Sequence, residues 1–129
     1  MAFSFTNGLL AGLLLAAFLA LCDGLFQTTT FQVLIDVGYV PALANLPSIL
    51  ELGIHLLLSI VVTAIFAYFY PVRRNVLRYV TLWVLFFFLI FFPFSWASGQ
   101  PVSIAACIIW LLGHLLYTLF LAFQVERYS

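Results

Sequence analysis

Three ionisable side chains, Asp23, Glu51 and His55, are the candidates for chemistry in a chain with only four acidic and four basic residues. Glu51 and His55 are four apart, a spacing that puts both on one face of a helix. Asp23 falls about one turn before the end of an apolar run, at a depth similar to Glu51. Two carboxylates and an imidazole could take up a cation or relay a proton near neutral pH. Charge buried in a membrane is costly, so such groups usually mark a pathway or a paired site. The same residues also have plainer uses. Ser48-Ile49-Leu50-Glu51 has the spacing of a capping box, in which Glu51 would only satisfy the helix start. Asp23 is close enough to an interface to be wetted, and His55 could simply hydrogen-bond a neighbouring helix.

A second imidazole, His114, raises the question of a bis-histidine haem. Counted from the nearest arginines, His55 lies 18 residues from Arg73 and His114 lies 13 from Arg127. At 1.5 Å per residue the two are offset by roughly 8 Å. Axial ligands must flank one iron, so this offset argues against haem. Cys22 and Cys107 form no CxxC, which argues against a thiol–disulfide oxidoreductase and for two free thiols. There is no Walker loop, HExxH or GxSxG. The expectation is a protein that is not an enzyme and has no metal or other cofactor.

The elements that must position these groups follow from composition. Of 129 residues, 67% are hydrophobic and 6% charged, against about a quarter charged in a soluble domain. Eight charged side chains cannot cover a water-facing surface around such a core, so lipid must be the solvent. A net charge of zero and the absence of any basic run leave no case for nucleic acid. A helix crosses the hydrocarbon core with about 20 apolar residues, and four apolar runs fit: about 8–26, 49–70, 76–92 and 102–123. Asn7 is a plausible N-cap for the first, Pro93 a stop for the third, and Pro101 a first-turn residue for the fourth. The first run lacks a positive n-region, and Leu21 stands where a lipoprotein cleavage site wants a small residue before Cys22, so it reads as a retained span.

Connections and charge then predict an all-α, four-helix up-down bundle. The second, third and fourth spans are joined by short links and should be successive antiparallel neighbours. Residues 27–46 read as a loop on the membrane surface with a short helix. Arg73, Arg74, Arg78 and Arg127 all fall on one side. Positive residues stay cytoplasmic in short loops, so both termini are expected inside and the 27–46 loop outside, in a multi-pass protein of the cytoplasmic (inner) membrane. Aromatic residues mark both interfaces: Phe3, Phe5, Tyr68, Tyr70, Tyr79 and Tyr128 within, Phe26, Tyr39, Phe94 and Trp96 without.

Packing leaves its own pattern. Gly8, Gly12, Ala16, Ala20 and Gly24 put a small residue at every fourth position of the first span, and Ser59, Thr63 and Ala67 do so in the second. Small side chains let backbones approach where lipid gives no hydrophobic drive. The two stripes either face each other in one subunit or offer the first span to a second copy. Phe86 to Phe92 is bulky all round and reads mostly as lipid-facing.

The Gly-rich start of the first helix (Gly8, Gly12) and the succession His55, Ser59, Tyr68 in the second resemble small bacterial inner-membrane proteins of the YagU type. The resemblance covers about half the chain and implies a helical membrane protein with no particular chemistry. The leading expectation is an accessory subunit, or a component that assembles with itself, whose partners are lipid and other membrane-protein subunits. The alternatives are a small transporter or proton/cation-conducting protein using Asp23, Glu51 and His55, and a haem- or quinone-binding redox subunit.

Overall fold

A computed structural model describes residues 2–71 and 74–127. Arg73 and Tyr128, cited above for orientation and for the aromatic belt, lie outside the described residues. Among those described there are five α-helices and no strand: α1 (Ala2–Phe26), α2 (Thr30–Ile35), α3 (Ser48–Phe69), α4 (Val76–Ser98) and α5 (Ile104–Arg127), with a single 3-10 turn at Pro41–Leu43. All but α2 are long and apolar enough to cross a membrane. Helix is the form such segments take because every internal N–H and C=O is satisfied within the segment, where lipid offers no partner. Leucines and phenylalanines on the outer surface, among them Leu14, Leu57, Phe86 and Leu89, are half-exposed or more. That surface suits lipid and not water.

Two helix ends differ from the sequence-based expectation. Asn7 is not an N-cap. α1 begins at Ala2, and the buried Asn7 side chain donates back to the Phe3 carbonyl one turn earlier, at 3.0 Å. Pro93 does not stop the third span at residue 92 either, since α4 runs through it to Ser98. A proline removes only its own N–H from the ladder, and membrane helices tolerate the loss. The real terminator is Gly99, at φ +72°, a conformation that suits glycine. The Gly99 N–H bonds the Trp96 carbonyl and the Gln100 N–H bonds that of Ser95, which together make a Schellman motif. At the last span, α5 starts two residues later than the expected 102 and continues past 123 to Arg127.

Packing centres on α1 and α5. α1 lies against α3 and α5, and α5 lies against α4. A Cβ on Gly8 would meet Ile60 and one on Gly12 would meet Leu56, so α1 and α3 run in opposite directions. The same holds for α4 and α5, where Phe91 packs on Trp110 and Phe87 on His114 and Tyr117. α3 and α4, expected to be direct neighbours, are not. Among the described residues no α3 Cα comes within 8 Å of an α4 Cα. Aromatic side chains bridge part of the gap: Phe66 packs on Tyr79 and Trp83, and the Tyr79 hydroxyl donates to the Phe66 carbonyl at 2.7 Å. Tyr70 and Tyr79 thus belong to an interhelical cluster, whereas Tyr68 and Trp96 are largely exposed, as interface anchors are.

The 27–46 loop is not a surface strap. Its helix α2 inserts among the four long helices and touches all of them, burying Thr30, Val33 and Ile35. This burial follows from composition, since Phe31, Val33, Leu34 and Ile35 are as apolar as the spans themselves.

Candidate functional site

Asp23 and Glu51 hold the two ends of α2. The Asp23 carboxylate accepts from the hydroxyls of Thr28 and Thr30 and from the backbone N–H groups of Thr30, at 3.0 Å, and Phe31, at 2.7 Å. Those amides are the first two of α2, and a carboxylate there satisfies orphan donors and complements the helix dipole. Glu51, with 7% of its surface exposed, accepts the Val37 N–H at 3.1 Å, just past the end of α2. The capping-box expectation fails here. Ser48 is already helical, Pro47 occupies the cap, and no side chain caps the start of α3. Asp36 makes a local turn of its own by accepting the Gly38 N–H at 2.8 Å.

His55 turns away from both carboxylates. Its Nε2 is buried without a hydrogen-bond partner. No hydrogen bond or ion pair joins Glu51 to His55. The Asp23, Glu51 and His55 trio therefore does not converge on a point, and among the described residues no group of three or more His, Cys, Asp or Glu could hold a metal ion.

What does meet is His55 and His114. Both line a cavity of about 210 Å³ between α3, α4 and α5, together with Ser59, Phe87, Trp110 and Tyr117. The 8 Å offset inferred from the arginines is overturned. His55 lies 14 residues from the end of α3 at Phe69, and His114 lies 13 from the end of α5 at Arg127, so their depths differ by about 1.5 Å. Cavity size still argues against haem, being below the roughly 300–1,000 Å³ of pockets for drug-sized ligands.

His114 is buried, stacked on Trp110 with centroids 4.4 Å apart and flanked by Phe87 at 5.0 Å. Its Nδ1 lies 2.9 Å from the Trp110 carbonyl, an acceptor only, so Nδ1 carries the proton. Among the described residues no hydrogen bond engages its Nε2. In a neutral ring the bond at one nitrogen sets the role of the other, and the His114 Nε2 is left as an acceptor. The surrounding groups are already satisfied. Ser59 donates to the Gly8 carbonyl, so the Tyr117 hydroxyl donates to Ser59, each at 2.8 Å. Trp110 Nε1 donates to the Phe87 carbonyl at 2.9 Å. Leu58 and Phe86 on the rim are both more than half exposed, so the cavity opens sideways between α3 and α4.

A larger groove of about 320 Å³ lies between α1 and α5, but its walls are apolar apart from Tyr117. It has nothing to orient a ligand, and lipid would fill it. Cys22 and Cys107 are free thiols. The small-residue stripe packs over only part of its length. Gly8, Gly12 and Ala16 are buried against neighbouring helices, whereas Ala20 and Gly24 are exposed and a Cβ on Gly24 would meet nothing within 4 Å. Gly113 makes the corresponding approach on α5, where a Cβ would meet Leu15, Phe18 and Leu19.

Set against known proteins, the chain matches no family model, no curated protein and no solved structure. The His55, Ser59 and Tyr68 succession behind the YagU-type resemblance divides in space: His55 and Ser59 face the cavity and Tyr68 faces outward.

Proposed function

We propose that the chain is a non-enzymatic, multi-pass protein of the cytoplasmic membrane, an accessory subunit that holds a small lipid-soluble ligand in the two-histidine cavity. The observation that carries this reading is the pair of imidazoles on one cavity, His114 tied at Nδ1 to the Trp110 carbonyl and His55 with its Nε2 buried and unpartnered. Buried polar atoms are normally satisfied, and ring nitrogens left open at one cavity suit a ligand with polar groups. Binding fits better than reaction because the nearby hydroxyls of Ser59 and Tyr117 are engaged with each other and with Gly8. Asp23 and Glu51 support the outer loop in this account and do not carry ions, since their oxygens accept from its backbone.

The same proposal takes the spans as an up-down bundle with both termini inside. Arg74, Arg78 and Arg127 are exposed, and Arg78 and Arg127 sit at helix ends that pack together, in keeping with cytoplasmic placement. The partner is another membrane subunit or a second copy, meeting the exposed apolar helix faces.

Purification in mild detergent, followed by mass spectrometry of bound small molecules and co-purifying proteins, tests the reading. The wild type should retain a small molecule that the double variant His55→Asn, His114→Asn loses. Equal or empty profiles for the two would overturn it.

A further inference from the structure

We infer that the cavity takes an aromatic head group bearing hydroxyls, of the hydroquinone or phenol class, with its lipid-soluble tail leaving between α3 and α4. The inference rests on the cavity being a ligand site, as proposed above, and adds the chemical class. Size comes first. A dry apolar cavity of about 150 Å³ accepts benzene, so the about 210 Å³ here suits one substituted six-membered ring. Shape comes second. Phe86, Phe87, Phe94, Trp110 and Tyr117 contribute ring faces and edges to the wall, and aromatic pairs favour stacked or edge-on contact with a planar guest. Polarity comes third. The Nδ1 proton of His114 is committed to the Trp110 carbonyl, so its Nε2 is an acceptor and the guest must donate to it. A hydroxylated ring does so, whereas an ether, a quinone or an alkane does not.

Access completes the case. The outer faces of α3 and α4 meet lipid, and their backbones stay apart along the opening. A guest can therefore pass in from the bilayer without unfolding the loop end, where Leu34 of α2 lines the cavity. No electron or proton transfer is part of the assignment.

The test uses the whole protein in detergent, under anaerobic conditions, with trimethylhydroquinone and its dimethyl ether as probes and ¹⁵N-labelled histidine as reporter. The hydroquinone should shift the His114 Nε2 resonance and bind about tenfold more tightly than the ether, the equivalent of one or two net hydrogen bonds. His114→Asn keeps an N–H where Nδ1 stands but removes Nε2, and should abolish most of that preference. Equal affinity for the ether, or a His114 Nε2 resonance that the hydroquinone does not move, would overturn the assignment. The wild-type comparison decides the matter even where a variant fails to fold. Failure here, with a small molecule still retained on purification, would discard the ligand class and leave the cavity as a ligand site. Loss of both would discard the two together.

Discussion

Asp23 and Glu51 carry charge into the structure for the sake of a loop. Asp23→Ala would remove the acceptor for four donors around the start of α2, at a cost of about 1–3 kcal/mol if the amides stay buried. Amide exchange at Thr30 and Phe31 should accelerate strongly while exchange in α5 stays unchanged. Glu51→Gln keeps an oxygen for the Val37 N–H and should leave exchange there nearly unaltered, whereas Glu51→Ala should release it. A Glu51→Gln variant that loosens the loop as much as Ala would mean that charge, not hydrogen bonding, is what Glu51 supplies. These roles were only half legible in the sequence. The cost of a membrane carboxylate was plain, and it pointed correctly to a partner. The partner was backbone from a segment read as a surface loop, and backbone donors leave no mark in a pattern of side chains. His114 was legible as an intramembrane imidazole, and Trp110 and Tyr117 flank it at the i−4 and i+3 positions of one helical face. That spacing was the available signal for the cavity wall.

Among the elements, α1 is the close-packed helix, and two of its glycines separate packing from propensity. Gly8→Ala would place a Cβ 2.6 Å from the Ile60 Cα, and backbone cannot move aside as a side chain can. We expect a loss of about 1–3 kcal/mol, as for other overpacked contacts. Gly24→Ala meets nothing within 4 Å and should be neutral, or stabilising by up to about 1 kcal/mol through helix propensity. Thermal unfolding in one detergent compares them, and matched melting of the two variants would contradict the packing. A stripe every fourth residue was readable from sequence, but its useful length was not, because the crossing of α1 over α3 decides where the backbones part. The end of α4 gives a similar lesson. Pro93 looked like the stronger stop, yet one missing N–H costs a membrane helix less than the left-handed turn at Gly99 changes its course. Gly99→Ala should cost about 1 kcal/mol through that φ and fray the last turn of α4.

For the whole molecule, four apolar spans were evident from composition alone, because eight charges among 129 residues leave no alternative solvent but lipid. Neighbour relations were not, since short links imply adjacency and the aromatic cluster of Phe66, Tyr79 and Trp83 holds α3 and α4 apart. Orientation is tested by cysteine labelling in spheroplasts, in a background lacking Cys22 and Cys107. A probe at the exposed Asn45 should label from outside and one at the exposed Asn75 should not. The reverse pattern would invert the protein in the membrane. The cavity itself is the central claim, and it makes a statement about protons that can be read directly. Imidazole in water prefers its proton on Nε2, whereas here the backbone carbonyl of Trp110 requires it on Nδ1 of His114. A ¹⁵N spectrum of histidine-labelled protein in lipid or detergent should therefore show a His114 ring protonated at Nδ1 and bare at Nε2. A His114 ring protonated at Nε2 would contradict the account.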